Sequence, residues 1–182
     1  MHSENPSITD YPKTALVWFK NDLRLHDNEA LCQAIADFDQ IIFFYGIEKS
    51  LFKKLNLGFR KACSNRFLFL KQSVLNLQKN LENLGGHLLI GVDSAAESIP
   101  ELVTEYNINT IYGECEYASE ELQLIDEVKT KLPNVAWNLY WGKTLYHIDD
   151  IPFTIEKIPL SSKAYRIPAS KESTPRGDPL KL

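Results

Sequence analysis

The 182-residue sequence predicts a doubly wound α/β fold: a five-stranded parallel sheet with helices on both faces. Short apolar stretches rich in β-branched and aromatic residues alternate along the chain with helical patterns. The stretches are almost continuously apolar, as strands covered on both faces are. The intervening segments suit right-handed crossovers, which place any ligand crevice at the carboxyl ends of the strands.

The predicted strands are Thr14–Lys20, Gln40–Ile47, His87–Val92, Thr110–Glu114 and Val135–Tyr140. Helices are predicted at Asn28–Ala36, Asn65–Leu84, Ala96–Tyr106 and Ser119–Lys131. In the second helix Phe67, Leu70, Val74, Leu77, Leu81 and Leu84 recur at three- and four-residue spacing, an apolar stripe that Gly85 and Gly86 terminate. Residues 1–13 read as a flexible tail. From 159 to 182 four prolines among Ser, Lys and Gly break the periodicity, so an irregular tail is expected there.

A net charge of −4 and a pI near 5.6 argue against duplex binding by this chain alone. The apolar runs are too short to span a bilayer, and the first residues carry no secretory signal, so a cytoplasmic protein away from membranes is expected. Cys32, Cys63 and Cys115 are widely spaced, which suggests reduced and mostly buried thiols. Neither GxGxxG nor GxxxxGK[ST] follows the first strand, and no GxSxG elbow occurs; a generic nucleotide-binding domain therefore remains a minor alternative.

The turn Asn21–Asp27 interleaves charges with leucines. Asp27 is expected to cap the helix that follows, Glu29 to sit in its first turn, and Arg24 to pair with Asp22 or Asp27. The stretch containing it, VWFKNDLRLHDNEAL (Val17–Leu31), resembles the amino-terminal signature of the DNA photolyase/cryptochrome family. WGKTLYHIDDIPF (Trp141–Phe153) resembles the end of the same domain in the DASH-type cryptochromes. KACSNRFLFLKQSVLNLQKNL and ECEYASEEL fit that subgroup between them. The resemblance covers residues 14–158.

It implies the family's Rossmann-like antenna domain, which in many members holds a light-harvesting pigment, often methenyltetrahydrofolate. FAD and the flipped pyrimidine dimer belong to a helical carboxyl-terminal domain, expected to be absent from this chain. No FAD, no catalytic residue and no metal site are therefore expected here, with DNA reached only through that other domain. Matched to the family pattern, Glu121 is the first candidate for holding the pigment, followed by Glu120, Glu116 and Arg66, with Lys61 at a second basic position. A carboxylate at a pterin edge accepts hydrogen bonds from ring N–H and amine groups.

Two departures stand out. Ile47-Glu48-Lys49-Ser50 replaces a Phe-Asp-Pro-Arg turn, losing a rigid proline and a forked donor, and Cys63 stands where a glycine is expected. His147, Asp149 and Asp150 read as a structural turn, and Trp18 and Trp137 as core aromatics. Three readings follow: an antenna domain that binds a folate-type chromophore and is not catalytic alone; a pigment-free interaction module docking a flavoprotein or another protein; or the amino-terminal part of a FAD-dependent photolyase repairing pyrimidine dimers.

Overall fold

The computed structural model describes residues 13–176. The expected flexible segment falls, but for Lys13, outside the described residues.

Strand β1 (Thr14–Phe19) is buried along its whole length and alternates its side chains between two cores. Ala15, Val17 and Phe19 join one apolar cluster, and Leu16 and Trp18 join the other. Around it lie β2 (Gln40–Gly46), β3 (Leu88–Gly91), β4 (Ile108–Glu114) and β5 (Ala136–Tyr140), all parallel, in the order β3-β2-β1-β4-β5. The chain winds outward from β1 to β3, then returns to place β4 on the other side of β1. This reversal opens a crevice at the carboxyl ends of β1 and β4.

Helices α1 (Glu29–Asp37) and α2 (Ser64–Asn83) cover the first face, and α3 (Ala95–Tyr106) and α4 (Ser119–Lys131) the second. In α2, Val74, Leu77 and Leu81 are buried as the stripe demands, whereas Phe67 and Leu84 are exposed. Phe67 instead meets Phe52 of the short 3-10 turn Lys49–Phe52, edge to face at 5.3 Å. Gly85, at φ +82, ends the helix as expected.

Three expectations are corrected. The N-cap of α1 is Asn28, extended at φ −122, whose side chain accepts from the Leu31 amide at 3.1 Å; Asp27 occupies a left-handed turn at φ 51, outside the extended region of a helix N-cap. The segment from 159 onward is not irregular throughout: α5 (Ser162–Glu172) forms there, capped by Ser161 and carrying Pro168 inside it, with Ala169 fully buried. The cysteines are not mostly buried, since Cys63 is exposed and Cys32 and Cys115 are half-buried. No described helix is long and apolar enough to cross a membrane.

Candidate functional site

The charged turn after β1 is first a scaffold. Asp22, buried at the strand end, accepts from the Lys20 amide at 3.0 Å and from the Asn28 side chain at 3.4 Å. Arg24 donates to the Asp27 carbonyl and lies 3.7 Å from its carboxylate. These contacts aim the chain into α1 and leave Lys20 at the sheet edge.

A cleft of about 550 Å³ opens at that edge, walled by the ends of β1 and β2 and the starts of α3 and α4. Arg66, Glu116, Glu120 and Glu121 all line it, so the four residues singled out in the sequence are brought together. They reach it from both sides of the sheet: Arg66 from the first turn of α2, Glu116 from the β4–α4 connection, and Glu120 and Glu121 from the first turn of α4.

Their environments differ. Glu120 is ion-paired with Lys61, the second basic candidate. Arg66 is exposed and makes no ion pair among the described residues, and Glu121 is half-buried with no hydrogen bond or ion pair among them. Glu116 is buried, its side chain 3% exposed. Lys143 holds its Oε2, while Oε1 has no hydrogen-bond donor among the described residues, the Lys20 ammonium lying 3.7 Å away. A buried acceptor without a donor costs about 1–3 kcal/mol, a cost that the nearby Lys20 ammonium offsets through its charge.

Lys20, Glu114 and Lys143 were not singled out as site residues from the sequence. The Lys20 ammonium donates to the Glu114 carbonyl at 2.6 Å and sits 4.9 Å from the Trp18 ring centre. Burial drives its pKa below the usual range, with Glu116 the first charge opposing the shift. Glu114, in turn, is pushed up to about 7 by burial and then by Asp22, with Lys143, 3.8 Å away, pulling the other way. One signal was legible: Lys20 and Glu114 close strands that are otherwise apolar, where a charge needs a buried partner.

The substituted turn after β2 has its own fastening. Glu48 accepts from the Ala95 amide at 2.9 Å, satisfying the start of α3, and Lys49 pairs with Asp93 at 2.7 Å. Cys63 adopts φ −87, faces outward and is not part of the cleft wall, so no glycine conformation is needed there. First-turn amides of α2, led by Arg66, lower the Cys63 thiol pKa.

A smaller cleft, about 240 Å³, lies over β4 and β5 and is lined by Asp22, Glu114, Trp141, Gly142, His147 and Arg176 among others. His147 accepts from the Asp149 amide at 3.2 Å, and Arg176 forks onto Asp150 at 2.5 and 2.9 Å, so these groups tie down a turn. Trp18 is buried and meets Trp137 edge to face at 6.4 Å.

Fold and site together define an open α/β domain with a polar ligand cleft at the switch point of its sheet. The DNA photolyase family model matches residues 15–179. The cryptochrome DASH of Gloeobacter violaceus is 40% identical over 149 residues, covering 81% of this chain and 30% of that protein. The Synechocystis sp. PCC6803 cryptochrome structure superposes with a TM-score of 0.88 at 34% identity, covering 93% of this chain and 36% of the other. An archaeal photolyase from Sulfolobus tokodaii, described with two FAD molecules and an implied novel light-harvesting cofactor, shares the fold at a TM-score of 0.62 and 17% identity, over 75% of this chain and 31% of the other. The chain belongs to the DNA photolyase family, as a photolyase/cryptochrome amino-terminal domain. It spans about a third of the length of these relatives.

Proposed function

We propose that this domain is a light-harvesting antenna that binds a folate-type chromophore, methenyltetrahydrofolate, in the larger cleft and is not catalytic by itself. One observation carries the reading: Arg66, Glu116, Glu120 and Glu121 line one cleft of about 550 Å³ at the carboxyl edge of the sheet, and the Glu121 carboxylate has no hydrogen bond or ion pair among the described residues. A pterin presents amine and ring N–H groups that such carboxylates accept. Glu116 and Glu121 hold its amino-oxo edge, Arg66 stands exposed at the cleft for an anionic tail, and Glu120 keeps its charge on Lys61. When bound, the chromophore absorbs light and passes the excitation on; the residues here orient it and exclude water.

In a longer chain, or with a separate flavoprotein partner, that excitation serves a FAD centre performing light-driven repair of pyrimidine dimers. No step of that chemistry is assigned to a residue described here, and DNA contact belongs to the FAD-bearing part. The reading places the protein in the cytoplasm. Purified protein is scanned for near-ultraviolet absorbance before and after reconstitution with methenyltetrahydrofolate. A bound, red-shifted pigment lost in Glu121→Gln supports the assignment, and protein that stays colourless with every pterin overturns it.

A pigment-free interaction module is the second reading, favoured by the exposed apolar side chains Leu57, Phe59, Phe67 and Phe69 on the β2–α2 connection and the first turns of α2. It predicts a complex with a flavoprotein that Phe69→Ser weakens while pterins have no effect.

A further inference from the structure

We propose that the smaller cleft is a second binding site, suited to a side-chain-sized organic cation: an ammonium or guanidinium group seated between the Glu114 carboxylate and the rings of Tyr140 and Trp141. The inference goes beyond the antenna reading and makes no use of the larger cleft.

Glu114 closes β4 and lines this cleft with a side chain only 7% exposed. Its carboxylate accepts no hydrogen bond among the described residues; Lys143 stands 3.8 Å away and donates to Glu116 instead. Gly142 puts no side chain over it: a Cβ there would lie 2.7 Å from Oε1, so the carboxylate stays uncovered on that side. Glu29, in the first turn of α1, brings to the same cleft a second carboxylate without an ion pair among the described residues. Each of the two arginines there is already matched to an acid, Arg24 to Asp27 and Arg176 to Asp150. Asp22, Glu29 and Glu114 therefore leave the cleft acidic.

The aromatic walls are held in place. Tyr140 stacks on Tyr112 with 5° between the ring planes, and Trp141 packs on Tyr117 at 4.7 Å while its Nε1 donates to Thr144 at 2.6 Å. A cation between a carboxylate and aromatic faces is attracted by both, and groups fixed beforehand lose little freedom when it binds. A volume of about 240 Å³ lies below the range of drug-sized ligands and suits a single side-chain-sized group. Among the described residues no three His, Cys, Asp or Glu side chains are grouped to hold a metal ion, which favours an organic cation. The charges facing Glu114 are Asp22 and Arg24 from the turn after β1, Glu116 from the β4–α4 connection and Lys143 after β5, with Glu29 and His147 on the same cleft. Burial first, and then Asp22, raise the Glu114 pKa to about 7 against the pull of Lys143. The form that attracts a cation is therefore gained as pH rises through neutrality.

The test titrates the full chain by calorimetry, at constant ionic strength, with putrescine and with acetyl-arginine amide. The first stands for a free polyamine and the second for a basic side chain of a partner, and the tighter of the two assigns the source. Saturation at one ligand per chain is expected, tightening about tenfold from pH 6 to pH 8 as Glu114 ionises. Glu114→Gln is expected to weaken binding about tenfold at pH 8 and to abolish its pH dependence, Glu29→Gln to weaken it about threefold, and Glu101→Gln, on α3, to leave it unchanged. Thermal melts check the folding of each variant, and Glu29→Gln carries the test if Glu114→Gln does not fold. The proposal is overturned if neither probe saturates, if binding ignores pH, or if Glu101→Gln loses as much as Glu114→Gln. Equal binding of 1,4-butanediol, which matches putrescine in shape without its charge, overturns it as well. Each of these results leaves pterin binding in the larger cleft untouched.

Discussion

Replacing Glu114 by glutamine isolates the electrostatic cost of the sheet edge. Burial, and then the Asp22 carboxylate, raise the Glu114 pKa from 4.5 to about 7, with Lys143 opposing them. The folded state thus keeps a proton that the unfolded chain releases. Stability is full below the unfolded value, falls as pH rises through the window from 4.5 to about 7, and levels off above it. At about 1.36 kcal/mol per pKa unit the ceiling is roughly 3 kcal/mol, and solvent in the smaller cleft trims this to about 1–2 kcal/mol. Glu114→Gln, which cannot titrate, should match the parent near pH 4.5 and exceed it at pH 8 by that amount, roughly 2–8 °C in melting midpoint for a domain of this size. Circular-dichroism melts at half-unit pH steps read it directly. Parallel curves for parent and variant across that range would refute the reasoning.

Asn28→Ala removes the α1 cap together with the Asp22 and Arg24 contacts and should cost about 1–2 kcal/mol in urea unfolding. Gly142→Ala places a Cβ 2.7 Å from the Glu114 carboxylate; a loss of roughly 1–3 kcal/mol is expected, relieved when Glu114 is also alanine, as a double-mutant cycle would record. Glu120→Gln breaks only the exposed pair with Lys61, so stability should change by under about 1 kcal/mol. Pterin affinity should hardly move in that variant, whereas Glu121→Gln lowers it.

The architecture was legible because the strands are near-continuous apolar runs and the helices carry long periods. Both signals are local, and β1 with its alternation between two cores illustrates them. The cap was misplaced by one residue since Asp27 and Asn28 have equal capping chemistry, and only the left-handed turn at Asp27 separates them. Helix α5 was hidden by Pro168 and by short apolar spacing; its readable mark was Ser161, a serine cap. Within the cleft, the gathering of Arg66, Glu116, Glu120 and Glu121 followed from the family resemblance, because carboxylates in a first helical turn also suit the helix dipole alone. The Lys20–Glu116–Lys143 arrangement was not legible. Its members lie far apart in sequence, and their pairing depends on β1 and β4 being neighbours.

The most direct measurement is an equilibrium titration of the purified chain with methenyltetrahydrofolate, followed by ligand fluorescence. Saturation at one ligand per chain, weakened about tenfold or more by Glu116→Gln and by Glu121→Gln and unchanged by Glu120→Gln, is the predicted result. A signal that never saturates, or binding indifferent to both Glu116 and Glu121, would contradict the account.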